Sequence, residues 1–152
     1  MFRMSTFTEN EIEYLNSQPL GRIATVGADG SPHVMPVGVF YDPDFEAIVI
    51  GGAGDMAASK KFRDARRRRE VAVVVDDLAS IEPWLPRGIE IRGTAETHTA
   101  GGAEVCERLG ASFTFQPAWI RVLPRRVLSW GIEGDAFDLF ARDVGESAAS
   151  RG

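Results

Sequence analysis

The chain has 152 residues, enough for one domain around one core, and its 44% hydrophobic and 26% charged content excludes a disordered polymer. No apolar run approaches the ~20 residues of a membrane span, no apolar leader stands at the N-terminus, and a net charge of −5 argues against general nucleic-acid binding. The single Cys106 cannot form an intrachain disulfide, and His33 and His98 are too few for a histidine-based metal centre. The expected compartment is the cytoplasm, without membrane, metal or nucleic-acid partners.

The first expected element is a short helix. Thr8 can cap it and Glu11 completes a capping box, with Phe7 and Ile12 at the staple positions and Pro19 as a stop. An alternating strand follows from Gly21 to Val26, and Asp29-Gly30 signals a hairpin. The next strand runs from His33 to Tyr41, interrupted by Pro36 and Gly38. Asp42-Pro43-Asp44 turns the chain into Ala47–Ile50. Connections this short force antiparallel neighbours.

A Gly-rich loop, Gly51 to Asp55, then leads into a helix over 57–69, for which Ser59 is a candidate cap. Val71 to Val75 reads as a buried strand ended by Asp76 and Asp77, and 78–88 as a loop. Ile89 to Thr97 alternates as a half-buried strand. Ala103 to Leu109 is a short helix ended by Gly110. Two final strands, Ile120–Leu123 and Arg126–Trp130, flank Pro124, and Ala136 to Phe140 is either another strand or part of a tail. Residues 1–144 should form a single domain and 145–152 a disordered tail. Hairpins dominate and no βαβ series appears. The expected class is therefore mainly β (α+β), an antiparallel barrel of six or seven strands with two or three short helices.

Charge is unevenly placed. Residues 60–69 carry +6, leaving −11 on the rest of the chain. Ser59-Lys60-Lys61 opens the second helix, where backbone N–H groups already favour anions, so the segment reads either as a solvated helix face or as a phosphate site. The spacing is not that of a P-loop. Arg66 to Arg69 fan around the helix and cannot all face one ligand. Trp84, stiffened by Pro83 and Pro86, either plugs a barrel end or, with Arg87, meets a planar or anionic group. Cys106 reads as a buried small hydrophobe. The acidic residues show no distinctive pairing, and no nucleophile–base set stands out, so a cofactor would have to carry any redox chemistry.

These segments in this order resemble the pyridoxamine-phosphate-oxidase-like, FMN-binding-like split β-barrel family. The similarity runs through His33-Val-Met-Pro-Val-Gly-Val-Phe-Tyr-Asp42, Ser59-Lys-Lys-Phe-Arg-Asp64, Pro83-Trp-Leu-Pro-Arg-Gly88 and Arg121-Val-Leu-Pro-Arg-Arg-Val-Leu-Ser-Trp-Gly131. More narrowly, they are similar to its branch of oxidoreductases dependent on the deazaflavin coenzyme F420. The resemblance implies a homodimer with the cofactor between two barrels. It assigns Met35, Pro36, Val37 and Gly38 to the ring system, and Gly51, Gly52, Ser59, Lys60 and Lys61 to the phosphate grip. Trp84, Pro86 and Arg87 would meet the polar tail, and Trp130 the substrate side. No residue is assigned as catalytic. Pyridoxamine-phosphate oxidases carry an Arg near the second strand, where this chain has Met35, and a C-terminal Arg/His motif that it lacks. Pyridoxine chemistry is therefore not expected. The implied activity is hydride transfer from reduced coenzyme F420 to a conjugated or quinone-like small-molecule acceptor. The alternatives are FMN-dependent flavin reductase or oxidase activity, or a non-catalytic flavin- or deazaflavin-binding protein.

Overall fold

Helix α1 spans Glu9–Ser17 and begins where local chemistry dictates: the Thr8 side chain accepts from the Glu11 N–H, and the Glu11 carboxylate accepts from the Thr8 N–H. The computed structural model describes residues 5–144. Strands follow at Leu20–Val26 (β1), Pro32–Asp42 (β2) and Ala47–Ile50 (β3). A 3-10 turn at Met56–Ala58 precedes α2, Lys60–Arg67, shorter than the expected 57–69 because Ser59 caps it and Arg68 is already extended. Then come β4 (Glu70–Ser80), β5 (Leu85–His98), α3 (Gly102–Leu109), β6 (Trp119–Trp130) and β7 (Leu139–Asp143).

The sheet runs β3-β2-β1-β4-β5-β6-β7, and β3 also pairs with β6, closing six strands into an antiparallel barrel with β7 added outside the ring. Its interior is β-branched: Ile23, Ile48, Ile50, Val73, Val75, Ile89, Ile91, Ile120 and Val122 are all fully buried. Burial alternates along β1, β4 and β5, as the period of two requires. The Asp29-Gly30 turn forms, with Gly30 at φ +85°. Gly110, in the left-handed region, ends α3.

Three expectations are corrected. Asp76 and Asp77 do not end β4. They sit in the ladder opposite Gly88 and Arg87, and Arg22 and Arg87 neutralise them from the flanking strands. Residues 78–88 are accordingly the tip and flank of a β4–β5 hairpin. Pro124 does not split the last strand either. β6 passes through it at a bulge opposite Gly93, where a Cβ would lie 2.3 Å from the Leu123 carbonyl oxygen.

β7 settles the status of 136–140 in part: the strand begins at Leu139 and reaches past Phe140 to Asp143. The expected tail, 145–152, lies outside the described residues. Arg142 on β7 crosses to α1, donating to both oxygens of the buried Glu11 carboxylate and to the Thr6 carbonyl. Glu133 accepts from Thr8 Oγ1 and Asn10 Nδ2, so the first helix and the C-terminal segment hold each other.

Candidate functional site

β3 pairs with β2 only over Val39–Asp42, which leaves Pro36 to Gly38 laddered to β1 alone. Pro36, lacking an N–H, suits a strand side without a partner. After Ile50 the chain leaves the sheet at Gly51. A Cβ there would lie 2.3 Å from the Phe115 ring, so only glycine fits. Gln116 N–H donates to the Gly52 carbonyl at 2.8 Å and fixes this exit. Between them lies a groove of about 240 Å³. β2 contributes Pro36, Val37 and Gly38, the β3 exit contributes Ile50, Gly51 and Gly52, and the loop beyond adds Gly54, Asp55 and Met56. Lys61 of α2 also lines it. Closed small-molecule pockets run to roughly 300–1,000 Å³, so this groove is smaller than such a pocket and open on one side.

At the α2 end, the Ser59 hydroxyl is committed to its own backbone. It accepts from Phe62 N–H at 3.3 Å and donates to the Met56 carbonyl at 2.7 Å. Lys60 turns away to the buried Asp64 carboxylate, 3.0 Å off. Burial works to raise the pKa of Asp64. Hydrogen bonds from Lys60 and Thr25, with the charges of Lys60 and Arg67, outweigh burial and hold it below 3.8. Lys61 makes no hydrogen bond or ion pair among the described residues, and it is the one cation lining the groove. The basic run is largely engaged within the fold: Arg63 donates to the Ala58 carbonyl, Arg67 pairs with Asp64, and Arg69 donates to the Ala95 carbonyl.

The groove thus unites six of the expected positions, Pro36, Val37, Gly38, Gly51, Gly52 and Lys61. Met35, Ser59 and Lys60 adjoin it without lining it. Trp84, Pro86, Arg87 and Trp130 belong to another region. Trp130 pairs with Gly88, where a Cβ would lie 2.5 Å from its indole. Gly131 packs on Pro86 and Arg87. Arg87 holds Asp77 through two bonds of 2.7 and 2.9 Å, which keeps that carboxylate below its ordinary range. Tyr14 donates to the same Asp77 at 2.8 Å; burial, then this bond, raises its phenol pKa. β5 stands opposite β2 in the six-strand ring, and none of these residues lines the groove.

Ile50, Gly54, Asp55 and Met56 were not anticipated in the lining. Their signal was position alone, flanking the glycines. Three carboxylates the sequence did not single out, Glu11, Asp42 and Asp64, are buried, each bound to a cation. Cys106 is buried as expected, and its S–H donates to the Phe113 carbonyl at 2.7 Å. No cluster of metal-ligating residues occurs among the described residues, and none of their helices is long and apolar enough to cross a membrane.

Residues 7–133 match the family model described as pyridoxamine 5'-phosphate oxidase. The chain belongs to that family. It is 42% identical over 139 residues to a 5a,11a-dehydrotetracycline/5a,11a-dehydrooxytetracycline reductase from Streptomyces rimosus, covering 91% of this chain and 93% of that one. A conserved hypothetical protein of Mycobacterium tuberculosis superposes with a TM-score of 0.64 at 25% identity, covering 86% and 89% of the two chains. An FAD binding protein of Mycobacterium smegmatis shares the fold, with a TM-score of 0.60 at 22% identity over 91% and 100%. In this family member, the glycine-floored groove is lined by Lys61, a cation without a hydrogen bond or ion pair among the described residues. Glycine backbone lets a flat ring approach closely, and the residues present fit a planar cofactor with an anionic arm.

Proposed function

We propose that this protein is an oxidoreductase that binds reduced coenzyme F420 in the groove and reduces a carbon–carbon double bond of a planar, conjugated polycyclic acceptor. The carrying observation is Lys61: beside Lys60, which is bound to Asp64, it keeps its ammonium free at the N-terminus of α2 and at the edge of the glycine floor. The identity to a reductase of dehydrotetracyclines supports the reaction class and the polycyclic, unsaturated acceptor.

When bound, the coenzyme supplies a hydride donor, and one hydride and one proton together saturate the acceptor bond. Lys61 and the backbone N–H groups of Lys60 and Lys61 would hold a phosphate there; helix geometry leaves these N–H groups without intrahelical partners, whereas the Phe62 N–H is taken by Ser59. The backbone of Pro36 to Gly38 forms the flat wall for a ring. Asp55 and Lys61 are the ionisable side chains in the lining, so the proton comes from solvent or the acceptor's own enol system.

The proposed functional unit is a homodimer. The open groove needs a second wall, and Leu20 and Val34, 53% and 62% exposed, lie on the β1 and β2 segments beside it. Trp84, Pro86 and Arg87 do not line their own groove and would meet the polar tail only in a partner's. FMN is the second reading, because its terminal phosphate fits the same single-lysine grip.

Titration with coenzyme F420 and, separately, FMN, followed by tryptophan quenching and Tm, tests the assignment. Lys61→Ala should weaken binding of coenzyme F420 by about tenfold to a hundredfold, the worth of a hydrogen bond to a charged group, with Tm unchanged. Unaltered affinity would refute the placement, and preferential FMN binding would move the protein to flavin chemistry.

A further inference from the structure

An aromatic cluster stands against the groove rim, and one of its rings faces solvent. Phe40 lies two residues beyond Gly38 on β2 and so projects from the same sheet face. Its ring edge is 3.4 Å from where a Gly38 Cβ would sit, so the ring begins where the glycine floor ends. Phe115 occupies the space left by the missing side chain of Gly51, with its centroid 5.0 Å from that of Phe40. Phe113 joins them at 6.0 Å from Phe40 and 5.6 Å from Phe115.

Phe115 is buried, yet Phe113 remains 41% exposed. Its loop is tethered at both ends of the segment. Cys106 Sγ donates to the Phe113 carbonyl at 2.7 Å, and Gln116 N–H donates to the Gly52 carbonyl at 2.8 Å. A half-exposed ring fixed by its backbone, and continuous through two other rings with a binding groove, offers a flat apolar area ready to be covered. None of the three carries a polar group, so the complementary ligand presents a flat unsaturated face there and its polar edge elsewhere.

We propose that Phe113, backed by Phe40 and Phe115, is the stacking wall for a planar fused-ring acceptor and the specificity-determining residue for it. The catalytic consequence rests on the reading of the groove as a hydride-donor site; the stacking itself does not. A fused-ring molecule lying over a coenzyme ring seated on the Gly38 floor extends past Phe40 to the Phe113 ring, whereas a single-ring acceptor can lie over that coenzyme ring without touching Phe113.

Equilibrium binding of tetracycline to the full-length protein, without coenzyme and followed by the ligand's fluorescence, is the direct test. The wild type should bind, Phe113→Ala should bind about tenfold more weakly, and Phe113→Tyr should match the wild type. Phe113→Leu keeps the apolar volume without the flat face and should lose affinity to an intermediate degree, so it carries the test if the alanine variant folds poorly. In turnover with coenzyme F420, Phe113→Ala should raise KM for a fused-ring enone. KM for cyclohexenone and the coenzyme Kd should stay within about twofold, since neither uses that aromatic stacking. No binding to the wild type, equal binding by wild type and Phe113→Ala, or equal KM increases for both acceptors would overturn the assignment. Phe113-dependent tetracycline binding without coenzyme-dependent turnover would instead refute the proposed reaction and leave the acceptor wall standing.

Discussion

Replacing Arg108 by Met isolates what one buried ion pair contributes to the scaffold. Asp42, fully buried at the end of β2, accepts two bonds of 2.8 Å from the Arg108 guanidinium on α3 and one of 3.1 Å from the Asp44 N–H. Removing one partner of a buried pair costs about 3–5 kcal/mol because the other charge stays behind. Here the Asp44 N–H remains, Arg121 still attracts the carboxylate, and Arg108 is 34% exposed, so the lower end, about 3 kcal/mol, applies. For a domain of this size that is a Tm loss of about 6–12 °C.

Arg108 holds the Asp42 pKa below its ordinary 3.8, chiefly by hydrogen bonding. A carboxylate depressed in the folded state stabilises fully above the unfolded value and loses that contribution as pH falls through the folded value. The gap between wild type and Arg108→Met should therefore be full at neutral pH and narrow below 3.8. Adding Asp42→Asn to Arg108→Met should recover part of the loss, since no charge is then stranded. Urea and thermal unfolding of the four proteins across pH would decide. A loss under about 1 kcal/mol, the scale of an exposed pair, or a double variant as unstable as both single losses summed, would refute the reasoning.

Gly51→Ala should cost about 1–3 kcal/mol in urea unfolding and weaken coenzyme binding, because the new methyl displaces the Phe115 ring. Gly52→Ala, with nothing within 4 Å, should stay within about 0.5 kcal/mol, and equal losses at the two positions would contradict the packing. Burial first, then Asp77, raises the Tyr14 phenol, and burial with Glu46 and Asp42 raises Tyr41. Stability from these neutral phenols is complete below 10 and is lost as pH rises through the raised folded values. Tyrosinate absorbance of the folded protein should accordingly stay under half-maximal at pH 10, and half-ionisation there would show the phenols are not shielded.

What was legible in the sequence was local chemistry. Thr8 with Glu11, Asp29-Gly30, Ser59 and Gly110 each act on backbone within a few residues, and each does so in the structure. Asp76 and Asp77 were misread because their charges are compensated across strands by Arg22 and Arg87, and Pro124 because its tolerance depends on a bulge opposite Gly93. The pairs Glu11–Arg142 and Asp42–Arg108 join residues far apart in the chain, so no spacing announces them. The groove shows the same division. The basic helix start and the Gly-rich loop before it marked its edge, whereas its floor at Pro36 to Gly38 was implied only by the family resemblance. Which of two adjacent lysines stays free was decided by Asp64, and only the fold shows that Lys60 reaches it.

The bond from Arg142 to Glu11 also sets an order of events during synthesis. A nascent chain leaves the ribosome with its N-terminus first, so the helix bearing Glu11 is exposed from the start. The guanidinium that lets that carboxylate be buried emerges 131 residues later. Until then, docking the helix would bury an uncompensated charge, which disfavours early closure of the barrel over it. The first helix therefore settles into its native place only once β7 has emerged to meet it.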